Sequence, residues 1–153
     1  MPPAGEPWIT FRPITADTVS EICALSDTLP EHQHRFVAGN ALSIAQAHFE
    51  PKAWFRAIYA GDEPVGFIML YDDDEKKEYF LWRLMITGPY QGKGYGRQAI
   101  QLLLDYVRTR PGAKALLTSF VPDERGPGEF YRRLGFKPTG EILEGETVVS
   151  LTL

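Results

Sequence analysis

The stretch Tyr90-Gln91-Gly92-Lys93-Gly94-Tyr95-Gly96-Arg97 sets three glycines at alternate positions immediately before a helix-like run. Glycine there forfeits backbone entropy and adds no packing. The loop must therefore need unusual backbone angles or a close approach. Residues 78–86 before it read as a strand. The residues after it carry Ala99, Leu102, Leu103, Tyr106 and Val107 on one helical face, and Pro111-Gly112 stops that helix. Residues 115–121 read as the next strand. Strand, loop, helix and strand make a βαβ unit, which fixes two parallel strands joined by a right-handed crossover. Everything else in the chain has to be arranged around that unit.

The flanking segments predict hairpins. Residues 8–12 alternate as a first strand ended by Pro13. Thr15 or Asp17 is placed to cap a helix carrying Val19, Ile22, Cys23 and Leu25, which Pro30 breaks. A second helical region carries Phe36, Val37, Ala41, Ile44 and Ala45. Residues 55–60 and 65–71 are two strands around the turn Gly61-Asp62-Glu63-Pro64. Asp72-Asp73-Asp74-Glu75-Lys76-Lys77 reads as a charged, solvated loop, and the alternative is a lure for a cationic substrate. After residue 121, Gly126-Pro127-Gly128 opens a short helix through Phe130, Tyr131 and Leu134. Residues 137–141 and 146–153 form a terminal hairpin around Glu144-Gly145. The order is β α α β β β α β α β β. It predicts an α/β (α+β) fold with a mixed, mostly antiparallel sheet and helices on both faces. Residues 1–153 are expected to form one domain, since 153 residues is an ordinary domain length.

Alternating glycines let backbone N–H groups at a helix N-terminus turn inward as a concave nest for a bulky anion. Lys93 and Arg97 add positive charge at its rim. The bland alternative is a tight βα turn. Spacing separates the phosphate-binding options. G-x-x-x-x-G-K-[ST] is absent. A dinucleotide fingerprint wants its third glycine one residue later and an acid about 20 positions on, where this chain has leucine at 116. A net charge of −4 argues against nucleic acid. One cysteine, Cys23, excludes a disulfide framework within the chain and a Cys-rich metal site, and is read as a small buried hydrophobe. His32, His34 and His48 lack metal spacing on any one element. Residues 1–7 have neither a basic start nor an apolar run, so no signal peptide is expected. The longest apolar run, 65–71, is too short to cross a bilayer. A cytoplasmic protein is expected.

Gln91-Gly92-Lys93-Gly94-Tyr95-Gly96 resembles the Q/R-x-x-G-x-G/A pyrophosphate loop of the GNAT N-acetyltransferase superfamily. Phe130-Tyr131-Arg132-Arg133-Leu134-Gly135-Phe136 resembles its later F/L-Y-x-x-x-G-F motif, at the usual separation of one helix and one strand. His32-Gln33-His34-Arg35-Phe36-Val37-Ala38 with Asn40 and Ser43 is similar, more loosely, to bacterial diamine and spermine/spermidine acetyltransferases.

The resemblance implies an enzyme that moves the acetyl group of acetyl-CoA to a primary amine, a small polyamine first. It implies that Gln91, Gly92, Lys93, Gly94, Tyr95, Gly96 and Arg97 hold the pyrophosphate. Leu84-Met85-Ile86 would pair with the pantetheine arm where the strand splays from its neighbour, with a free amide near Met85 for the thioester oxygen. Phe130 and Arg133 fall in the second motif and are expected on the cofactor. Tyr131 matches the family's general acid: a phenol of ordinary pKa about 10 can protonate a departing thiolate. Glu78 is the candidate base, with a solvated strand end as the alternative. His32, Gln33 and Trp82 are candidate substrate contacts. Glu124 stands where the family usually has an asparagine, and a carboxylate accepts hydrogen bonds but donates none. A homodimer is also implied. Another amine acceptor, such as an aminoglycoside or a protein N-terminus, and a CoA-binding module without turnover stay open.

Overall fold

A computed structural model describes residues 8–153, so the expectation about the first seven residues lies outside the described residues. The elements run β1 (Ile9–Arg12), α1 (Val19–Ala24), α2 (Asn40–Phe49), β2 (Ala53–Ala60), β3 (Glu63–Asp73), β4 (Glu78–Ile86), α3 (Tyr95–Arg108), β5 (Ala115–Phe120), α4 (Gly128–Arg133), β6 (Lys137–Leu143) and β7 (Glu146–Thr152). This is the order read from the sequence. One sheet holds all seven strands in the order β1-β2-β3-β4-β5-β7-β6. Each neighbouring pair is antiparallel except β4 with β5.

The sheet divides the core in two. On one face Ile58, Ile68, Leu70 and Leu81 meet Ala99, Ile100, Leu103 and Val107 of α3 and Tyr131 of α4. On the other, Ala57, Phe67, Met69 and Met85 meet Ile22 of α1, with Ile44 and Ala47 of α2 packed alongside. α3 forms for the reason its sequence shows: residues three and four apart turn one apolar stripe to the sheet, and Arg108 sits favourably in its last turn. β3 is central, which is why residues 64–70 are buried on both faces.

Several expectations need correction. Phe36 and Val37 are not helical. Glu31–Arg35 is a separate 3-10 turn, and α2 begins at Asn40. Pro30 opens that turn, and α1 already ends at Ala24, with Leu25 passing into another 3-10 turn. Thr18 is the N-cap of α1 in place of Thr15 or Asp17, because the Thr15 carbonyl accepts from both Thr18 N and Val19 N and tightens the entry turn. Cys23 is half-buried, the buried position falling to Ile22.

The acidic run is only partly a loop. Asp72 and Asp73 belong to β3 and are consumed by structure. Asp72 accepts from Tyr106 Oη at 2.6 Å and Arg110 Nε at 3.0 Å. Buried Asp73 Oδ1 accepts from Lys52 Nζ at 2.8 Å and from the backbone N–H groups of Glu75 and Lys76 at 3.1 and 3.0 Å. Those bonds close the β3–β4 turn. They also hold the Asp73 carboxyl below the ordinary aspartate range, the Lys52 ammonium contributing most, while the Lys52 pKa is raised by the same bond.

A carboxyl with a lowered folded pKa stabilises the fold above its unfolded pKa, and the benefit disappears as pH falls through the folded value. Asp73→Asn is therefore expected to lower the Tm at pH 7. The gap to wild type should close as pH drops below about 4, the range of an ordinary aspartate. A gap that stays constant from pH 7 to pH 3 would show that this pairing does not link the fold to pH.

Candidate active site

β4 and β5 are paired at only two positions, Phe80 with Leu117 and Leu81 with Thr118. Beyond them the strands part. β4 keeps β3 as a neighbour through Ile86, but from Trp82 onward its other edge has no strand beside it. The Thr118 hydroxyl donates to Leu81 O at 2.9 Å and closes the apex of the split. Gly66 on β3 allows the close approach behind it, since a Cβ there would run into the Met85 carbonyl.

A cavity of about 520 Å³ opens into the split. Its floor is Leu84, Met85 and Ile86. One wall is Tyr90 and the glycine loop, and the other is Arg125, Gly126, Pro127, Phe130 and Tyr131. Gly92 and Gly94 have φ of +79° and +85°, and nothing lies within 4 Å of where a Cβ would sit. Backbone angle, not crowding, demands glycine at both. Gly94 is the N-cap of α3 and brings no side-chain cap. The head of a 14-residue helix thus presents backbone N–H groups that its N-cap residue does not cover, at the positive end of the helix dipole. Gly96 is glycine for another reason: a Cβ would stand 3.2 Å from the Phe130 ring. Loop and α4 therefore pack directly against each other. A pyrophosphate fits this cradle of open space and backbone donors.

A roof covers the cavity. Gln33 Nε2 donates to Gln91 Oε1 at 3.0 Å, and Gln91 Nε2 donates back to Gln33 Oε1 at 2.7 Å and to Ile86 O at 2.9 Å. Arg35 Nη2 donates to Asp123 Oδ2 at 2.9 Å. The 3-10 turn Glu31–Arg35 is thereby tied to both walls. The Asp123 carboxyl lies below the ordinary range, first because it accepts from Arg125 N and next because Arg35 and Arg125 stand nearby.

Tyr131 is 7% exposed and packed by aromatic rings. Phe120 stacks on it at 6.0 Å between centroids, and Phe130 and Phe136 meet it edge-on at 5.2 and 5.3 Å. Burial pushes its phenol up to about 12, with the Thr118 hydroxyl acting in the opposite direction. At neutral pH Tyr131 holds its proton.

A second cavity of about 850 Å³ lies on the α2 side of the sheet and abuts the first along β4. It is built by an irregularity that the sequence does not announce. Met69 pairs with Arg83 and Leu70 with Leu81, so Trp82 is an extra residue on β4. Such a bulge re-aims side chains: Trp82 and Arg83 both line this cavity, and Arg83 Nη2 reaches Gln46 Oε1 of α2 at 3.0 Å. Glu50, Glu78, Glu141, Glu144 and Glu146 also line it, five carboxylates against the single cation Arg83.

The expected site residues therefore divide. Leu84, Met85, Ile86, Gln91, Gly92, Gly94, Tyr95, Gly96, Arg97, Phe130, Tyr131 and Gln33 come together around the first cavity. Glu78 and Trp82 line the second. Lys93, Glu124 and His32 line neither, and Arg133 faces a separate surface recess behind Arg97. Leu29 of the roof and the groove carboxylates Glu50, Glu141, Glu144 and Glu146 carry no local signal, because only the fold brings them to the split.

The sequence profile described as "Acetyltransferase (GNAT) family" matches residues 19–136. The chain is 26% identical over 152 residues to the spermine/spermidine N(1)-acetyltransferase of Bacillus subtilis (strain 168), covering 92% of this chain and 96% of that protein. Among solved structures, an acetyltransferase from Thermus thermophilus superposes with a TM-score of 0.76 at 17% identity, covering 95% of this chain and 97% of that one. The microcin C7 self-immunity acetyltransferase MccE, solved with acetyl-CoA and AMP, superposes with a TM-score of 0.74 at 19% identity, over 95% and 93%.

Gly94→Ala is expected to lower stability by about 1–2 kcal/mol, the cost of a left-handed non-glycine residue. It should also weaken coenzyme A binding by setting a methyl group in the cradle. Calorimetric unfolding and titration with coenzyme A check both, and wild-type affinity in the variant would remove the cradle from the binding site.

Proposed function

The chain belongs to the acetyltransferase (GNAT) family and is an acyl-CoA-dependent N-acetyltransferase, and from that premise we propose that it acetylates a primary amine held in the acidic groove, a polyamine such as spermidine or spermine. The observation that supports this most is the placement of the two cavities. They lie side by side along β4, one with a glycine cradle suited to a pyrophosphate and the other with five carboxylates suited to a polycation. The name of the Bacillus subtilis relative points to the same acceptor class.

Acetyl-CoA, when bound, supplies an activated acetyl thioester. The chain's own residues do the rest. Backbone N–H groups from Gly92 to Arg97 take the pyrophosphate, and the α3 dipole favours its charge. The edge of β4 at Leu84–Ile86 that has no strand beside it offers backbone groups to an extended arm as an added strand would. In this reading a backbone N–H of that edge stabilises the negative charge that develops on the thioester oxygen. The roof of Leu29, Phe36 and Val37 excludes water. Tyr131 holds a proton at Oη and releases it to the departing sulfur. The groove draws in the cation. Residues 1–153 act as a single domain in this reading, which also takes in a homodimer and a cytoplasmic location.

A thiol-release assay with acetyl-CoA and a panel of spermidine, spermine, putrescine, aminoglycosides and short peptides is expected to give coenzyme A with the polyamines. Release only with another amine would replace the acceptor. Silence across the panel, with coenzyme A still raising the Tm, would leave a binding module. Tyr131→Phe should lower kcat by about 100-fold or more while coenzyme A binding persists. Because the Tyr131 phenol sits at about 12, kcat should not fall between pH 8 and pH 10.5 through loss of its proton. A decline centred near pH 9 would name a different acid.

A further inference from the structure

Glu78 stands at the wrong end of the sheet to meet the split. It pairs with Asp73 at the turn, six residues from Leu84 along β4, or about 20 Å at the rise of a strand. Topology brings a different carboxylate to the right end. β5 is parallel to β4, so Ser119 and Phe120 lie at the end where the strands part. β7 is antiparallel to β5 and pairs Thr147 with Phe120, which puts its first residue, Glu146, at that same end. Glu146 and Val148 line the groove from β7 and Leu117 and Ser119 from β5. Ser119 Oγ donates to Glu146 Oε1 at 2.9 Å and fixes the carboxylate.

Across the split stands Arg83. Its Nη1 donates to Trp82 O and its Nη2 to Gln46 Oε1, both at 3.0 Å, while its Nε is buried without a partner. No ion pair joins it to Glu146 among the described residues, yet the Glu146 carboxylate is near enough to favour its charge against burial. The space between them is flanked by one fixed carboxylate and one fixed guanidinium. Glu141 and Glu144 of the hairpin, Glu50 at the end of α2 and Glu78 are the other charged groups of the cavity.

We propose that Glu146 is the base that takes the proton from the acceptor amine, with Ser119 as the residue that positions it. The assignment rests on the reading of the groove as the acceptor side. The ammonium N–H bond breaks, the nitrogen keeps the electron pair, and the proton goes to a Glu146 carboxylate oxygen and from there to water. Base and acid then lie on opposite faces of the sheet, Glu146 on the α2 face and Tyr131 on the α3 face, on either side of the split. Amine entry and sulfur departure are thereby separated.

The test is steady-state kinetics of Glu146→Gln, Glu146→Asp and Ser119→Ala with spermidine, alongside calorimetric binding of spermidine in the absence of acetyl donor. Glu146→Gln should lose about 100-fold or more in kcat, with KM and spermidine affinity changed only a few-fold and an unaltered Tm rise on adding coenzyme A. Glu146→Asp should recover part of the loss. With trifluoroethylamine, already neutral at pH 7, the deficit should shrink to a few-fold. Ser119→Ala removes the bond that fixes the carboxylate, so kcat should fall several-fold with KM and the Tm unchanged. A raised KM with unchanged kcat would make Glu146 an anchor and overturn the assignment. So would an equal loss with the neutral amine, or a kcat loss that follows Glu78→Gln instead. Wild-type silence with every amine would overturn the acceptor reading of the groove and this assignment with it.

Discussion

The parallel pairing of β4 with β5 lasts for two residue pairs, and the rest of the molecule is organised by where it stops. A fully paired parallel sheet would satisfy its ladder and leave no edge in the interior. Here pairing ends at Thr118, whose hydroxyl takes over the Leu81 carbonyl, and one edge of β4 runs on without a strand beside it. Backbone left unpaired within a fold must find a partner. An extended ligand arm that adds itself as a strand is a physical answer. The glycine loop at the head of α3 stands at the open end of that edge, so its donors and the strand edge face one cavity.

Antiparallel neighbours hold the split open. β3 grips β4 from behind, and Gly66 lets the two backbones approach closely at Met85. β7 braces β5 over six residue pairs, so β5 does not drift across to close the gap. The roof is tied down from both sides, by the reciprocal amides of Gln33 and Gln91 and by Arg35 with Asp123. Severing the glutamine pair leaves half-buried amide groups to be satisfied some other way. Gln91 is thus as much a fastener of the roof as a member of the loop.

Much of this was legible in the sequence because it depends on local rules. Alternating glycines before a 3.6-period stripe fix a βα turn with exposed N–H groups, and Gly92 and Gly94 adopt the left-handed angles that only such residues take cheaply. Tyr131 in its motif lands beside the cavity, where α4 packs on the sheet. What was not legible depends on register. No local signal marks Trp82 as a bulge, yet that one extra residue sends Arg83 into the groove beside it. Asp72 and Asp73 look like a solvated run, and only the approach of Lys52, Tyr106 and Arg110 turns them inward. Phe36 and Val37 keep helical spacing but lie between the 3-10 turn and α2 and line the cavity.

The two faces of the sheet also differ in dielectric character, and that difference suits an acid and a base of opposite needs. Tyr131 is enclosed by Phe120, Phe130 and Phe136, a setting that penalises the phenolate and keeps the proton on oxygen. Glu146 is half-buried at the mouth of a wide polar groove, with a hydroxyl donor on one oxygen and a guanidinium nearby. One sheet thus holds an enclosed phenol on one face and a half-buried carboxylate on the other. The separation of the faces is therefore a chemical property of the fold as well as a steric one.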